Sequence, residues 1–209
     1  MNKIITIGRE FGSGGREIGK RLAESLGIAY YDKEIMTEIA NRTQLAEHYV
    51  HNISEQGPQM FFPITTGRTL HQYNAPDYVF RHHNAIYTAQ ATVLREMAEK
   101  SSCVIVGRCA DYILRDLNPI RLFVYAEMDA KVKRCRLKAE LHENLSDKDL
   151  IKKIKRIDKG RAKYYEYYTG HKWGKHENYD LCINTTSLSV KHVAELLDKL
   201  IRADMDEKQ

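Results

Sequence analysis

"GREFGSGGREIG", residues 8 to 19, is the stretch on which the reading of this chain turns. It follows an apolar stub, "IITI" at 4 to 7, and runs into a segment where Ile18, Leu22, Ala23 and Leu26 recur at helical spacing before Gly27. Gly8, Gly12, Gly14 and Gly15 therefore lie between a strand and a helix, where backbone N–H groups and a helix N-terminus can be turned onto phosphate. A strand-to-helix turn alone needs only one or two glycines. A dinucleotide fingerprint would use Gly12 and Gly14, with Asp32 as the ribose acid. Glu17, however, replaces the third glycine, and the spacing from Gly8 to Gly12 is too long. A nucleoside-triphosphate loop, G-x-x-x-x-G-K-[ST], fits better but in altered form. Gly14 takes the second glycine's place, Gly15 the lysine's, Arg16 the hydroxyl residue's and Arg9 the first glycine's.

Outward from this loop, strands and helices alternate. "KIITIG", "IAYY", "CVIVG", "IRLFVYA" and "YDLCINT" read as five strands. Between them lie helical patterns: "DKEIMTEIANR" with Asp32 as its cap, "AIYTAQATVLREMAEK", the short "ADYILRDL", the basic "MDAKVKRCRLKAEL", and a long helix from 146 opened by a Ser146 to Asp149 capping box. "SVKHVAELLDKLIRAD" is the last helix. Residues 43 to 80 hold three of the four prolines and little periodicity, so they read as an insertion expected to close over a ligand. The pattern implies an α/β fold, a parallel sheet covered on both faces.

With 209 residues, the chain suits one domain, 1–209. No apolar run approaches the ~20 residues that span a bilayer. The N-terminus is too short in apolar residues for a signal peptide. Cys103, Cys109, Cys135 and Cys182 make no C-x-x-C pair and read as reduced thiols of a cytoplasmic protein. The net charge of +5 suits an anionic ligand or merely reflects solvated lysines. No groove-reading motif appears, so neither a nucleic-acid nor a membrane partner is expected. Oligomeric state is left open.

"ITIGREFGSGGREIGKRLAESLGIAYYDKEI" resembles the opening of the cytidylate kinase-like family, a branch of the nucleoside monophosphate kinases. The resemblance continues in "VIVGRCADYIL" at 104–114, "IDKGRAKYYEYYTGHKW" at 157–173 and "YDLCINT" at 179–185. True cytidylate kinases keep the loop lysine; this branch has "SGGRE" at Ser13 to Glu17. The resemblance implies a P-loop NTPase fold, a three-layer α/β/α sandwich on a five-stranded parallel sheet. It also implies a nucleoside-monophosphate region, for which the insertion at 43–80, outside the matching stretches, is the expected acceptor side, and an arginine-bearing helical lid with a long helix, expected at 131–170. The implied reaction passes the γ-phosphoryl of ATP, with Mg²⁺, to a pyrimidine monophosphate such as CMP or dCMP. Two alternatives stay open: a nucleotide-binding sensor with little or no kinase activity, and a kinase of another small acceptor.

Gly12, Ser13, Gly14, Gly15, Arg16 and Glu17 are the expected nucleotide-binding residues, with Arg134 and Arg156 as lid candidates beside Arg136. Phosphoryl transfer needs positioning and positive charge. Arg16, with its two-pronged guanidinium, is the expected substitute for the missing lysine, or else a surface ion pair to Glu17. By resemblance Arg108, at the carboxyl end of a strand, meets the acceptor phosphate, and Asp158 and Arg161 read the cytosine edge and that phosphate. Arg16, Arg108 and Arg161 are thus the expected catalytic set; an intrahelical ion pair is the alternative for Asp158 and Arg161. The Mg²⁺ ligands stay open among Ser13, Glu17, Asp32 and Asp111. Tyr164, Tyr165, Tyr167, Tyr168 and Trp173 read as a packed seam, and His82 and His83 as surface or insertion residues.

Overall fold

The computed structural model describes residues 2–56, 77–138 and 145–206. Five strands form one sheet: β1 (Ile4–Arg9), β2 (Ala29–Tyr31), β3 (Cys103–Val106), β4 (Ile120–Tyr125) and β5 (Leu181–Asn184). Every pairing is parallel and the spatial order is β2-β3-β1-β4-β5. The helices are α1 (Gly15–Leu26), α2 (Glu34–Thr43), α3 (Glu47–Gln56), α4 (Asp77–Lys100), α5 (Ala110–Ile113), α6 (Met128–Lys138), α7 (Asp147–Thr169) and α8 (Val190–Asp206).

The period-two alternation of side chains across a strand sorts the core into two layers. Ile5, Ile7 and Val104 point toward α1 and α8, where Ile18, Leu22, Val193 and Leu197 meet them. Ile4, Cys103 and Ile105 point the other way, toward Ile35 and Ile39 of α2, Val93 and Leu94 of α4, and Tyr164 and Tyr165 of α7. Both faces of the sheet are covered, which is why its inner strands read as continuous apolar runs. The α/β three-layer expectation holds. Gly27 closes α1 in the left-handed region at φ 67°, and Ser146 Oγ accepts from the Asp149 N–H, as the capping box foretold.

Several expectations are corrected. The segment at 43–80 is not wholly irregular: α3 occupies Glu47–Gln56, anchored by buried Val50 and Ile53, and α4 begins at Asp77. The rest of that stretch, 57–76, lies outside the described residues, as does 139–144 within the expected lid. Asp32 does not cap α2, because its carboxylate is turned back to Arg16. His83 is buried rather than superficial, its ring taken into the packing of α4. The tyrosine seam is as expected for four of its members: Tyr164 and Tyr165 are buried, and Tyr168 and Trp173 pack against them, while Tyr167 is exposed. All four cysteines are free thiols. Among the described residues no helix is long and apolar enough to cross a membrane.

Candidate active site

The loop leaves β1 at its carboxyl end, between the two strands it pairs with, β3 and β4. Gly12 and Gly14 adopt φ of 77° and 88°, conformations that L side chains rarely take. A Cβ on Gly14 would also lie 2.6 Å from Val190 Cγ2 of α8. The Ile18 N–H is bonded to the Gly14 carbonyl at 3.0 Å, so Gly15, Arg16 and Glu17 form the first turn of α1, where the Gly15 N–H makes a long bond of 3.4 Å to Ser13 Oγ. Ser13 is fully buried, its hydroxyl donating to the Glu10 carbonyl at 2.8 Å, and the Thr185 hydroxyl donates to the Ser13 carbonyl at 2.7 Å. Such bonds fix the loop from within, together with the inward-turned N–H groups of Phe11, bonded to Asp158 Oδ1 at 2.7 Å, and Ser13, bonded to the Glu10 carbonyl at 3.4 Å.

Over those amides lies a cavity of about 250 Å³. Its floor is Gly12, Gly14, Gly15, Arg16 and Glu17, and its walls bring in Arg134, Arg136 and Lys138 of α6 with Lys153 and Arg161 of α7. Ser13 lies beneath this floor. Arg134 lines the cavity, with its guanidinium donating to the Gly12 carbonyl at 3.4 Å and to the Thr185 carbonyl. Arg156 does not join the wall: it is exposed on α7 and is not among the lining residues. Arg136 lines the cavity but is turned to Asp147 at 2.7 Å. Glu17 bridges Arg21 at 3.0 Å and Lys138, and the Lys138 ammonium holds its carboxyl below the usual range.

Arg16 is paired with Asp32. Its Nε lies 2.6 Å from Asp32 Oδ2 and an Nη donates to Oδ1 at 3.4 Å, so it pairs with the carboxylate at the end of β2 rather than with Glu17. Asp32 is almost wholly buried whereas the Arg16 side chain is 57% exposed. Arg16 thus rests at the border of the loop cavity, able to leave Asp32 by rotating in solvent.

Asp158 faces the loop. Its Oδ1 accepts the Phe11 N–H at 2.7 Å and its Oδ2 faces Lys131 Nζ at 3.0 Å; the same Nζ lies 2.7 Å from Glu10 Oε2. Lys131 is 4% exposed. Both Asp158 oxygens therefore brace the loop, one through the Phe11 amide and one through Lys131. Burial pushes the Asp158 carboxyl up, against the lowering effect of the Phe11 amide and Lys131. Lys131 was not singled out from sequence. It stands amid a run of basic residues and carries no local sign of its buried partners.

Arg108 begins a second, smaller cavity of about 30 Å³, shared with Arg9, Arg161, Asp111, Tyr165 and Trp173 among others. Gly107, Arg108 and Cys109 have successive φ of 75°, 60° and 54°, so the chain leaves β3 through three left-handed residues, two of them non-glycine. Each of the two non-glycine residues costs about 1–3 kcal/mol, a strain that persists only because the surroundings enforce it. Gln90 contributes, its amide donating to the buried Arg108 carbonyl at 2.8 Å. Arg108 is itself buried, and Arg161, which borders both cavities, connects the two. The three expected catalytic arginines therefore divide: Arg108 and Arg161 line the small cavity, Arg16 and Arg161 the large one.

In the same cavity Tyr165 Oη donates to Asp111 Oδ2 at 2.6 Å. Burial pushes the Asp111 carboxyl up, and the Tyr165 bond only partly offsets this. The native state then holds a proton there that the unfolded chain has already lost, so this group's contribution to stability falls as pH rises from about 4. In Asp111→Asn, whose amide oxygen still accepts from Tyr165, the decline in stability between pH 4 and pH 7 is expected to shrink. Urea unfolding at both pH values checks this.

The chain matches the model of the cytidylate kinase-like family over residues 4–187. It belongs to the cytidylate kinase-like family. No curated protein matches it. Among solved structures it is similar to an uncharacterized protein from Eubacterium ventriosum, at 31% identity and TM-score 0.69, covering 96% of this chain and 98% of the other. A shikimate kinase from Bacteroides thetaiotaomicron shares the fold at 16% identity and TM-score 0.56, covering 97% and 99%. TT1252 from Thermus thermophilus does so at 14% identity and TM-score 0.54, covering 96% and 97%. The family match is to a cytidylate kinase-like group, and the kinase neighbours share its fold, a fold whose kinases generally use nucleotide and Mg²⁺.

The loop suits a triphosphate because a cavity opens directly over its glycines and the first turn of α1; the glycines themselves are enforced by packing, since a Cβ on Gly14 or Gly15 would collide with Val190 or Arg9. Mg²⁺ finds less. Arg16 stands where the ligating hydroxyl belongs, and Ser13 Oγ is bonded inward. Glu10, Glu17 and Asp32 each face a cation already, Asp111 faces Tyr165, and among the described residues no cluster of three metal ligands forms. These residues do not build a Mg²⁺ site, and the steps below run through the protein's own groups.

Proposed function

We propose that this protein transfers the γ-phosphoryl group of ATP to a nucleoside monophosphate, CMP or dCMP being the acceptors its family resemblance favours. The observation that supports this most is the glycine loop under a cavity walled by cations from α6 and α7, with Arg161 linking it to the cavity at Arg108. An oxygen of the acceptor phosphate forms a bond to Pγ as the bond from Pγ to the bridging oxygen breaks. The electron pair leaves with ADP, and a doubly ionised acceptor phosphate needs to shed no proton. In this reading the amides of Gly12 and Gly14 to Glu17 hold the donor phosphates. Arg134, reaching from the α6 side, and Arg161 close over them, and Arg108 orients the acceptor phosphate. Residues 131–170 act as lid and residues 43–80 as the acceptor side of one domain.

Such positioning and charge stabilisation are most of what phosphoryl transfer asks of a protein. The test is ADP release from ATP and Mg²⁺ with CMP, dCMP, UMP, AMP and shikimate as separate acceptors. Turnover is expected with CMP or dCMP, at least tenfold above the rest, and is lost in Arg108→Ala. Tight ATP binding without turnover on any acceptor would assign the fold to nucleotide sensing instead. Turnover confined to shikimate would reassign the acceptor.

A further inference from the structure

Arg9 stands where a phosphate loop ordinarily has its first glycine, and Gly15 where it has its lysine. Space couples the two anomalies. A Cβ built on Gly15 would lie 2.6 Å from Arg9 Cβ and 3.3 Å from Arg9 Cγ, so the Arg9 stem runs across the bare backbone from which a lysine would start. Its guanidinium continues to Gly107, where an added Cβ would fall on Arg9 Nη1. Arg9 is buried, its Nη2 4.0 Å from Asp32 Oδ1, and like Arg161 it borders both cavities. Arg161 Nη1 donates to the Arg9 carbonyl at 3.4 Å, which sets the two arginines side by side.

We propose that Arg9 and Gly15 are an exchanged pair: the guanidinium from the start of the loop crosses the side-chain-free position at its end and grips the terminal phosphate of the bound nucleoside triphosphate. Glycine at 15 is then required by Arg9, and Gly107 is required to seat the guanidinium. Arg16, drawn to Asp32, is left an outer role. A planar cation with several N–H donors can hold two oxygens of the terminal phosphate at once, which a lysine ammonium cannot do in the same geometry.

This inference rests on the loop binding a triphosphate, as proposed above. It is tested by measuring dissociation constants for a non-hydrolysable ATP analogue and for ADP with wild type, Arg9→Gly, Arg9→Lys, Gly15→Lys and the double variant Arg9→Gly/Gly15→Lys. Arg9→Gly is expected to weaken the analogue about tenfold to hundredfold, the size of a charge-assisted hydrogen bond, and ADP by far less. Gly15→Lys alone is expected to lower the thermal midpoint and bind neither nucleotide, since its Cβ collides with Arg9. The double variant, which restores the ordinary order of residues, is expected to recover the midpoint and most of the analogue affinity. Arg9→Lys should fall between wild type and Arg9→Gly.

Equal weakening of analogue and ADP would assign Arg9 a structural role only and overturn the exchange. So would a double variant no better than Arg9→Gly. A wild type that binds the analogue and turns over while Arg9→Gly is unaffected would remove Arg9 and leave the kinase reading intact. A wild type that binds neither nucleotide would remove both.

Discussion

Arg161→Ala is expected to lower the turnover number for phosphoryl transfer by about a thousandfold, the lower end of what a well-placed arginine contributes at a transferring phosphate. The expectation comes from position. Arg161 is half-buried on α7, lines both the loop cavity and the small cavity at Arg108, and lies with its Cζ 5.8 Å from the centre of the Phe11 ring. A phosphoryl group passing from one cavity to the other goes by this side chain, and a low-dielectric wall strengthens its field on the charge that develops there. The loss should fall on kcat more than on KM for ATP, because the loop amides and α6 cations still hold the donor. Arg161→Lys should recover only part of the rate, since an ammonium lacks the two-pronged geometry. A loss under tenfold in Arg161→Ala would place the transfer path elsewhere.

The largest stability effect is expected at Lys131. Its ammonium is enclosed between Glu10 and Asp158, and Asp158 in turn takes the Phe11 amide of the loop. Removing one partner from a buried ionic cluster typically costs about 3–5 kcal/mol, because the remaining charges, here two facing carboxylates only partly open to water, are left without compensation. Lys131→Met should therefore unfold at clearly lower urea concentration and bind nucleotide poorly even where folded, as the loop loses its brace. Adding Asp158→Asn to that variant should restore a good part of the stability. The amide oxygen still accepts from Phe11, and one of the two facing carboxylates is gone. A Lys131→Met protein as stable as wild type would mean that the cluster is hydrated rather than closed.

Much of this fold was open to reading in the sequence. The five strands announce themselves as short apolar runs, and α1 is bounded by glycines whose left-handed conformations the structure bears out at Gly14 and Gly27. What could not be read lies in side chains that cross from one element to another. Nothing local marks Lys131, within a run of basic residues, as different from Lys133, yet one is buried and the other exposed. Asp158 and Arg161 share a helix and a spacing that suggested a joint role, but the fold gives the first to the loop and only the second to the cavities. Helix α3 offers just two buried apolar residues, Val50 and Ile53, in an otherwise polar stretch, too little periodicity to separate it from loop. Arg9 was visible only as a departure from a pattern; that its stem lies across Gly15 is a fact of three dimensions.

The most direct measurement is a crystal structure of the protein with a non-hydrolysable ATP analogue. The expected result is a phosphate chain over the loop, its oxygens about 2.7–3.2 Å from the N–H groups of Gly14, Gly15 and Arg16, with the Arg9 and Arg161 guanidinium groups on the terminal phosphate. An analogue bound away from the glycine loop, or a loop left without ligand at saturating concentration, would contradict a phosphate-gripping role for residues 8 to 19.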